Sequence, residues 1–157
     1  MNSKEIAENM AKAFNVKDLE SKDGILEVEI DGAYVRIEEA DGDDFIVSGR
    51  IGDAPSEGGE IFASIALEGT LALMLTKAAA VTRESKTGPY ILVERIPHSC
   101  ASDFKSFCTC LQSFVDTLDV WRRQLNDFTP ACAMAEKVAA EQKAEINHAL
   151  RGGFLMA

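Results

Sequence analysis

The sequence predicts an α+β fold: a helix, a three-stranded antiparallel meander, a second helix, a β-hairpin, a long helix and an extra C-terminal helix. Three observations carry it. Apolar residues recur every three or four positions near the N-terminus and again between 102 and 128, they recur at every second position between 26 and 51, and Asp-Gly dipeptides punctuate the alternating stretch as tight hairpins require. With 157 residues and 46 % apolar composition the chain can build one ordinary core, and no Pro/Ser/Gly-rich linker splits it. The expected division is an α+β domain over 1–128 and a helical extension over 129–157.

Residues from about 3 to 15 read as an amphipathic helix, with Ile6, Met10 and Phe14 on one stripe and Lys4, Glu5, Glu8 and Lys12 around the rest. Asn2 can cap it, with Glu5 three residues on as reciprocal partner. The stripe either packs on the sheet or opens as a partner groove. The period then shortens to two. Leu26, Val28 and Ile30 alternate with Glu27, Glu29 and Asp31, Asp31-Gly32 signals a two-residue type I′ turn, and Ala33, Val35 and Ile37 alternate with Tyr34, Arg36 and Glu38. After a second turn at Asp41-Gly42, Phe45, Val47, Gly49 and Ile51 alternate with Ile46, Ser48 and Arg50, completing a meander with one apolar and one acidic face.

Residues 52–59 form a loop by composition, and its glycines lack the lysine and the GxxxxGK[ST] order of a phosphate cradle, so no nucleotide site is expected. From Glu60 to about Thr76 the chain reads as a helix that is apolar nearly all round, including Ile61, Phe62, Ile65, Leu67 and Leu71. So small a domain cannot bury such a helix on every face, which points to a second subunit; a central core helix is the alternative, and Gly69 offers a place for the segment to divide. A turn cluster at 85–89 joins strands around Val81 and over 90–96, and Pro97 ends the second. Between about 102 and 128, Phe104, Phe107, Leu111, Phe114, Leu118, Trp121, Leu125 and Phe128 step by threes and fours, the main core stripe. Pro130 closes that helix. Residues 131–150 follow as an alanine-rich helix with a thin stripe at Met134, Val138 and Ile146, ended by Gly152-Gly153.

The formal charge of −10 resides in the first 60 residues, which hold 16 acidic against 6 basic side chains, while 61–157 hold 10 of each. The sheet surface is therefore expected to be strongly negative, which disfavours nucleic acid and anionic lipid and suits a basic or polar polypeptide. The N-terminus shows no secretory pattern, and the longest apolar region, 61–81, is broken by Ser64, Glu68, Gly69, Thr70, Thr76 and Lys77, so a soluble cytoplasmic protein with no membrane partner is expected. In that compartment Cys100, Cys108, Cys110 and Cys132 read as reduced thiols. Cys108 and Cys110, two apart on a helix, diverge by about 200° and cannot share an ion without unwinding it, so no metal site is expected. His98 and His148 accompany no nucleophile elbow, HExxH pair or Gly-rich fingerprint, and the paired carboxylates Glu38-Glu39 and Asp43-Asp44 flank a hairpin whose edge they solubilise. No catalytic residue and no cofactor are expected; the chain reads as a binding protein and not an enzyme.

The element order, the small size, the pI near 4.6, the strand end Phe45-Ile46-Val47-Ser48-Gly49-Arg50-Ile51-Gly52 and the helix Phe114-Val115-Asp116-Thr117-Leu118-Asp119-Val120-Trp121-Arg122 resemble the class I chaperones of type III secretion, the Tir chaperone family, over about residues 3–128. The resemblance implies a homodimeric, ATP-independent cytosolic chaperone that keeps the N-terminal region of a secreted effector extended for export. It implies a dimer interface at Ile61, Phe62, Ile65, Leu71 and Val81, and partner-binding grooves from Ile6, Met10, Phe14, Leu26, Val28, Ile30, Val35, Ile37, Phe45 and Val47. Independently of the family, an extended peptide can add to an exposed strand edge while pockets take its alternate side chains. The rival class is a stand-alone regulatory or sensory protein of the same fold, dimeric and acidic too, that binds another protein.

Overall fold

The computed structural model describes residues 1–14, 19–74, 79–83, 85 and 88–129, with 69–74 described as backbone. The elements run α1 (Ser3–Phe14), β1 (Ile25–Ile30), β2 (Ala33–Glu39), β3 (Phe45–Gly52), α2 (Gly59–Met74), β4 (Ala79–Arg83), β5 (Tyr90–Ile96) and α3 (Phe104–Asn126). This is the order the periodicity predicts. The helix expected over 131–150, with Cys132 and His148, lies outside the described residues.

Helix α1 starts where Asn2 and Glu5 exchange bonds: the Glu5 N–H donates to Asn2 Oδ1 at 2.9 Å and the Asn2 N–H to Glu5 Oε2 at 3.3 Å. Its first turn is also tied down from outside. The Ser3 N–H donates to Glu39 Oε1 at 2.6 Å, and the Ser3 and Ser21 hydroxyls meet at 2.7 Å, which fixes the helix to the end of β2. Hydrogen bonds from Ser3 hold the Glu39 carboxyl below its ordinary 4.5.

The sheet is antiparallel throughout, in the order β1-β2-β3-β5-β4. Asp31 and Gly32 have φ of 50° and 76°, both positive as a type I′ turn demands, and they set the register Ile30↔Ala33 and Leu26↔Ile37. The period-two alternation then delivers Leu26, Val35, Ile37, Phe45, Val47, Leu92 and Ile96 to one face, where all are buried. The helices cover that face. Helix α3 starts at Asp103, whose carboxylate accepts from the Ser106 N–H at 2.9 Å and hydroxyl at 2.7 Å. It crosses β3 at Gly49, where an added Cβ would stand 2.6 Å from Leu118 Cδ2, so glycine lets the Leu118 side chain pack directly on the strand and any larger residue displaces it. Phe107 meets Phe45 edge to face at 5.6 Å, and Phe62 of α2 meets Tyr90 at 4.9 Å and Phe128 at 5.2 Å, joining the second helix to the same core.

The opposite face of the sheet corrects one expectation. It carries Tyr34, Arg36, Ile46, Ser48, Arg50 and Arg95 alongside Glu27 and Glu38, and its arginines are paired: Arg36 with Glu38 at 3.2 Å and Glu27 at 3.8 Å, Arg95 with Asp44 at 2.7 Å. The surface is mixed and not uniformly acidic, because strand alternation sends basic as well as acidic residues outward. The unbalanced carboxylates collect at turns and rims, as at Asp31, Asp41 and Asp43.

Candidate functional site

A groove of about 310 Å³ opens where the last turn of α1, strand β1 and the first half of α3 converge. Met10 and Phe14 form one wall, Val28 and Ile30 the second, and Leu111 and Val115 the third, with Leu19 at one end and Cys108 and Gln112 on the helix side. The walls are apolar because two periodicities meet: every second residue of β1 faces the helices, and Cys108, Leu111 and Val115 repeat by threes and fours along one flank of α3. Glu29 and Asp31 form an acidic rim. Phe14, at the end of α1, is 63 % exposed, an uncovered aromatic ring beside a strand at the edge of the sheet. Lys22 bridges only Ile25, so the outer edge of β1 from Leu26 to Ile30 has no strand partner among the described residues.

The expected groove residues divide sharply here. Ile6, Met10, Leu26, Val35, Ile37, Phe45 and Val47 are each 3 % exposed or less. They hold the fold together, and only Met10 of that group reaches the groove, as part of its wall. Phe14, Val28 and Ile30 are the three left accessible at the groove itself. The burial follows from α3, which lies across β3 and covers the sheet centre while leaving the β1 edge open. Leu19, Cys108, Leu111 and Val115 were not among the expected groove residues; the signal for the last three was the apolar flank that Cys108 and Val115 form with Leu111 of the main α3 stripe.

The second surface lies on α2. Phe62 and Ala66 are buried, at 1 % and 3 %, whereas Ile65 is 37 % and Leu67 64 % exposed, on opposite flanks of the helix. Phe62 is thus a core residue bridging Tyr90 and Phe128 and is unavailable to a second subunit; Ile61 and Val81 are half-buried, and the side chain of Leu71 lies outside the described residues.

The thiols and His98 have local explanations. Cys108 faces the groove, while Cys110 sits on the other flank of α3 beside Cys100 and Glu94, the divergence that helical spacing predicts. Burial pushes both the Cys108 and Cys110 thiols up, which leaves them protonated and weakly nucleophilic near neutral pH. His98 is exposed in the turn after β5, its N–H donating to Asp44 Oδ1 at 2.7 Å; that bond and the Arg95 guanidinium hold the Asp44 carboxyl below its ordinary value. Among the described residues no group of three or more His, Cys, Asp or Glu is placed to hold a metal, and no helix is long and apolar enough to cross a membrane.

The profile of the Tir chaperone protein (CesT) family matches residues 5–122. No curated relative matches the chain significantly. Among solved structures the chain is similar to one in the ExsC–ExsE complex, at 16 % identity and a TM-score of 0.65 over 80 % of this chain and 97 % of that one. It is similar to one in the HopA1–SchA chaperone–effector complex at 16 % identity and 0.63, over 76 % and 92 %. The Yersinia pestis type III secretion chaperone SycH, solved with a stable fragment of YscM2, aligns at 16 % identity and 0.51, over 75 % and 98 %. At such identities these likenesses show a shared fold.

Proposed function

The chain belongs to the Tir chaperone protein (CesT) family, and from that premise we propose that it binds the N-terminal region of a type III secreted effector and keeps it extended and competent for export. The observation that carries the reading is the open apolar groove beside the unpartnered edge of β1, with Phe14 63 % exposed within it. An extended segment can hydrogen-bond to that edge as a further strand while its alternate side chains enter the groove. Two of the three accessible groove residues, Val28 and Ile30, lie on β1 itself, so strand addition and side-chain capture occur at one place. The acidic rim of Glu29 and Asp31 favours a segment with basic residues beside its apolar anchors.

The partner-binding set is accordingly Phe14, Val28 and Ile30 over a wall that includes Met10, Leu111 and Val115. The protein acts as a homodimer through α2, with Leu67 and Leu71 on one flank of the helix and Ile61 and Ile65 on the other, and with Val81 of β4 as a further contact. It works in the cytosol without ATP, by equilibrium binding alone: the sequence offers no phosphate cradle, and holding a segment extended requires a surface and not a chemical step.

The test is capture by the tagged full chain from native cytosol, with bound proteins identified by mass spectrometry and compared with a Phe14→Lys variant. The expected result is a secreted protein retained through its N-terminal region by the wild type and lost by the variant. Retention of the same protein equally by both would overturn the site, and absence of any secreted protein would overturn the function.

A further inference from the structure

We propose that β1 selects its partner segment by a single basic side chain, a lysine or arginine held opposite Glu29 on the open face of the sheet, between two apolar residues that enter the groove on the other face. This inference rests on the reading of the groove and the β1 edge as a binding site and names the segment that the site takes.

The backbone fixes the register. On the outer side of β1 the Ile25 N–H donates to the Lys22 carbonyl at 2.8 Å and the Lys22 N–H to the Ile25 carbonyl at 2.9 Å. Along an antiparallel strand successive residues turn their backbone groups to opposite sides, so Leu26, Val28 and Ile30 bond inward to β2 while Glu27 and Glu29 point outward. Both ends of the ladder agree. The Glu39 N–H donates to the Gly24 carbonyl at 3.0 Å, and Ile30 pairs with Ala33 across the two-residue turn. The outward groups of Glu27 and Glu29 meet no partner among the described residues. With Ile25 already engaged and the chain turning at Asp31, this edge has room for about five residues of an added strand, those opposite Leu26 to Ile30.

Side chains of an added strand follow the same alternation in either chain direction. A residue opposite Val28 or Ile30 points to the groove face, beside Phe14, and a residue opposite Glu29 points to the open face. On that open face the two carboxylates differ. Glu27 lies across from Arg36, 3.8 Å from its guanidinium. Glu29 lies across from Tyr34, which is uncharged and 71 % exposed, and Arg50 on β3 is committed to Asp53 at 2.7 Å. Glu29 therefore makes no ion pair among the described residues. A cation opposite it completes an attractive cross-strand pair, whereas an acidic residue there meets like charge. The segment that satisfies both faces at once reads apolar, basic, apolar.

The test is a selection by the tagged full chain from a displayed library of short random peptides, with enriched sequences read by deep sequencing. Wild type, Glu29→Gln, Glu29→Lys and Phe14→Lys are run in parallel, and thermal melts verify that each is folded; Glu29 is exposed, so its substitution leaves the core untouched. The expected result on wild type is lysine or arginine enriched at least about threefold between two apolar residues, the scale of one opposite-charge pair between strands. Glu29→Gln removes that preference, and Glu29→Lys reverses it to aspartate or glutamate. Apolar alternation with no basic preference on wild type, or a basic preference that survives undiminished in Glu29→Gln, overturns the proposal and leaves the groove reading standing. Peptides enriched no better by wild type than by Phe14→Lys overturn the groove reading itself and this inference with it.

Discussion

Replacing Leu67 with aspartate separates assembly from folding more cleanly than any other change on α2. Burying a whole leucine is worth about 1.5–3 kcal/mol. In the single chain Leu67 is 64 % exposed, so about 1–2 kcal/mol of that remains to be gained when a second copy covers it. A two-fold interface counts the residue twice, which makes the loss about 2–4 kcal/mol and weakens the dimer roughly 30- to 900-fold. The carboxylate adds a desolvation cost on top. The fold itself gives up only the covered third, about 0.5–1 kcal/mol. Phe62→Ala, by contrast, removes a ring that is 1 % exposed and should cost about 3–5 kcal/mol of stability. Sedimentation equilibrium over a concentration series, with circular dichroism to report folding, reads both terms. A wild type that sediments as a monomer across the micromolar range, or an L67D variant that dimerises as tightly as wild type, would refute the assignment of this face.

Three further outcomes are expected. Phe14→Lys should weaken partner binding by about 1–2 kcal/mol, the value of the 63 % of the ring still exposed, while the melting temperature moves by no more than a few degrees, since a cation suits the C-terminus of α1; calorimetry against the captured segment and a thermal melt check the two halves, and a large drop in melting temperature would show Phe14 to be a folding residue. Gly49→Val should destabilise by about 1–3 kcal/mol by forcing Leu118 away from β3, and a denaturation midpoint equal to wild type would mean that the helix and strand are not in close contact. The carboxyls of Glu39, Asp44 and Asp103 are all held low by hydrogen bonds, so their contribution is fully present above their ordinary values and is lost as pH falls through the lower folded ones; Glu39→Gln should therefore melt below wild type at pH 7 and approach it under acid conditions below about pH 4, and a gap that stays constant across that range would exclude the Glu39 contribution.

The order of elements was legible because each is announced locally. The capping pair Asn2 and Glu5, the alternation through β1 and β2, the Asp31-Gly32 turn with both φ values positive, and the unbroken stripe of α3 are short-range patterns, and each element formed where its pattern lay. The family resemblance was legible for the same reason: it rests on that order and on the strand end and helix that meet at Gly49 and Leu118.

Period and pattern determined which face of each strand is apolar, but an apolar face can be a core or a docking surface, and the sequence does not say which. Leu26 and Val28 are two residues apart on the same face of β1; one is fully buried and the other half-buried, because the groove between α1 and α3 opens over the second and not the first. The same holds on α2, where Phe62 and Leu67 look alike in a helix that is apolar nearly all round, yet one is clamped between Tyr90 and Phe128 and the other faces out. Even the charge of the sheet's open face depended on pairing across strands, where Arg36 of β2 comes to lie beside Glu27 of β1. Local structure follows from neighbours in the chain, which a sequence displays; exposure follows from neighbours in space, which only packing brings together.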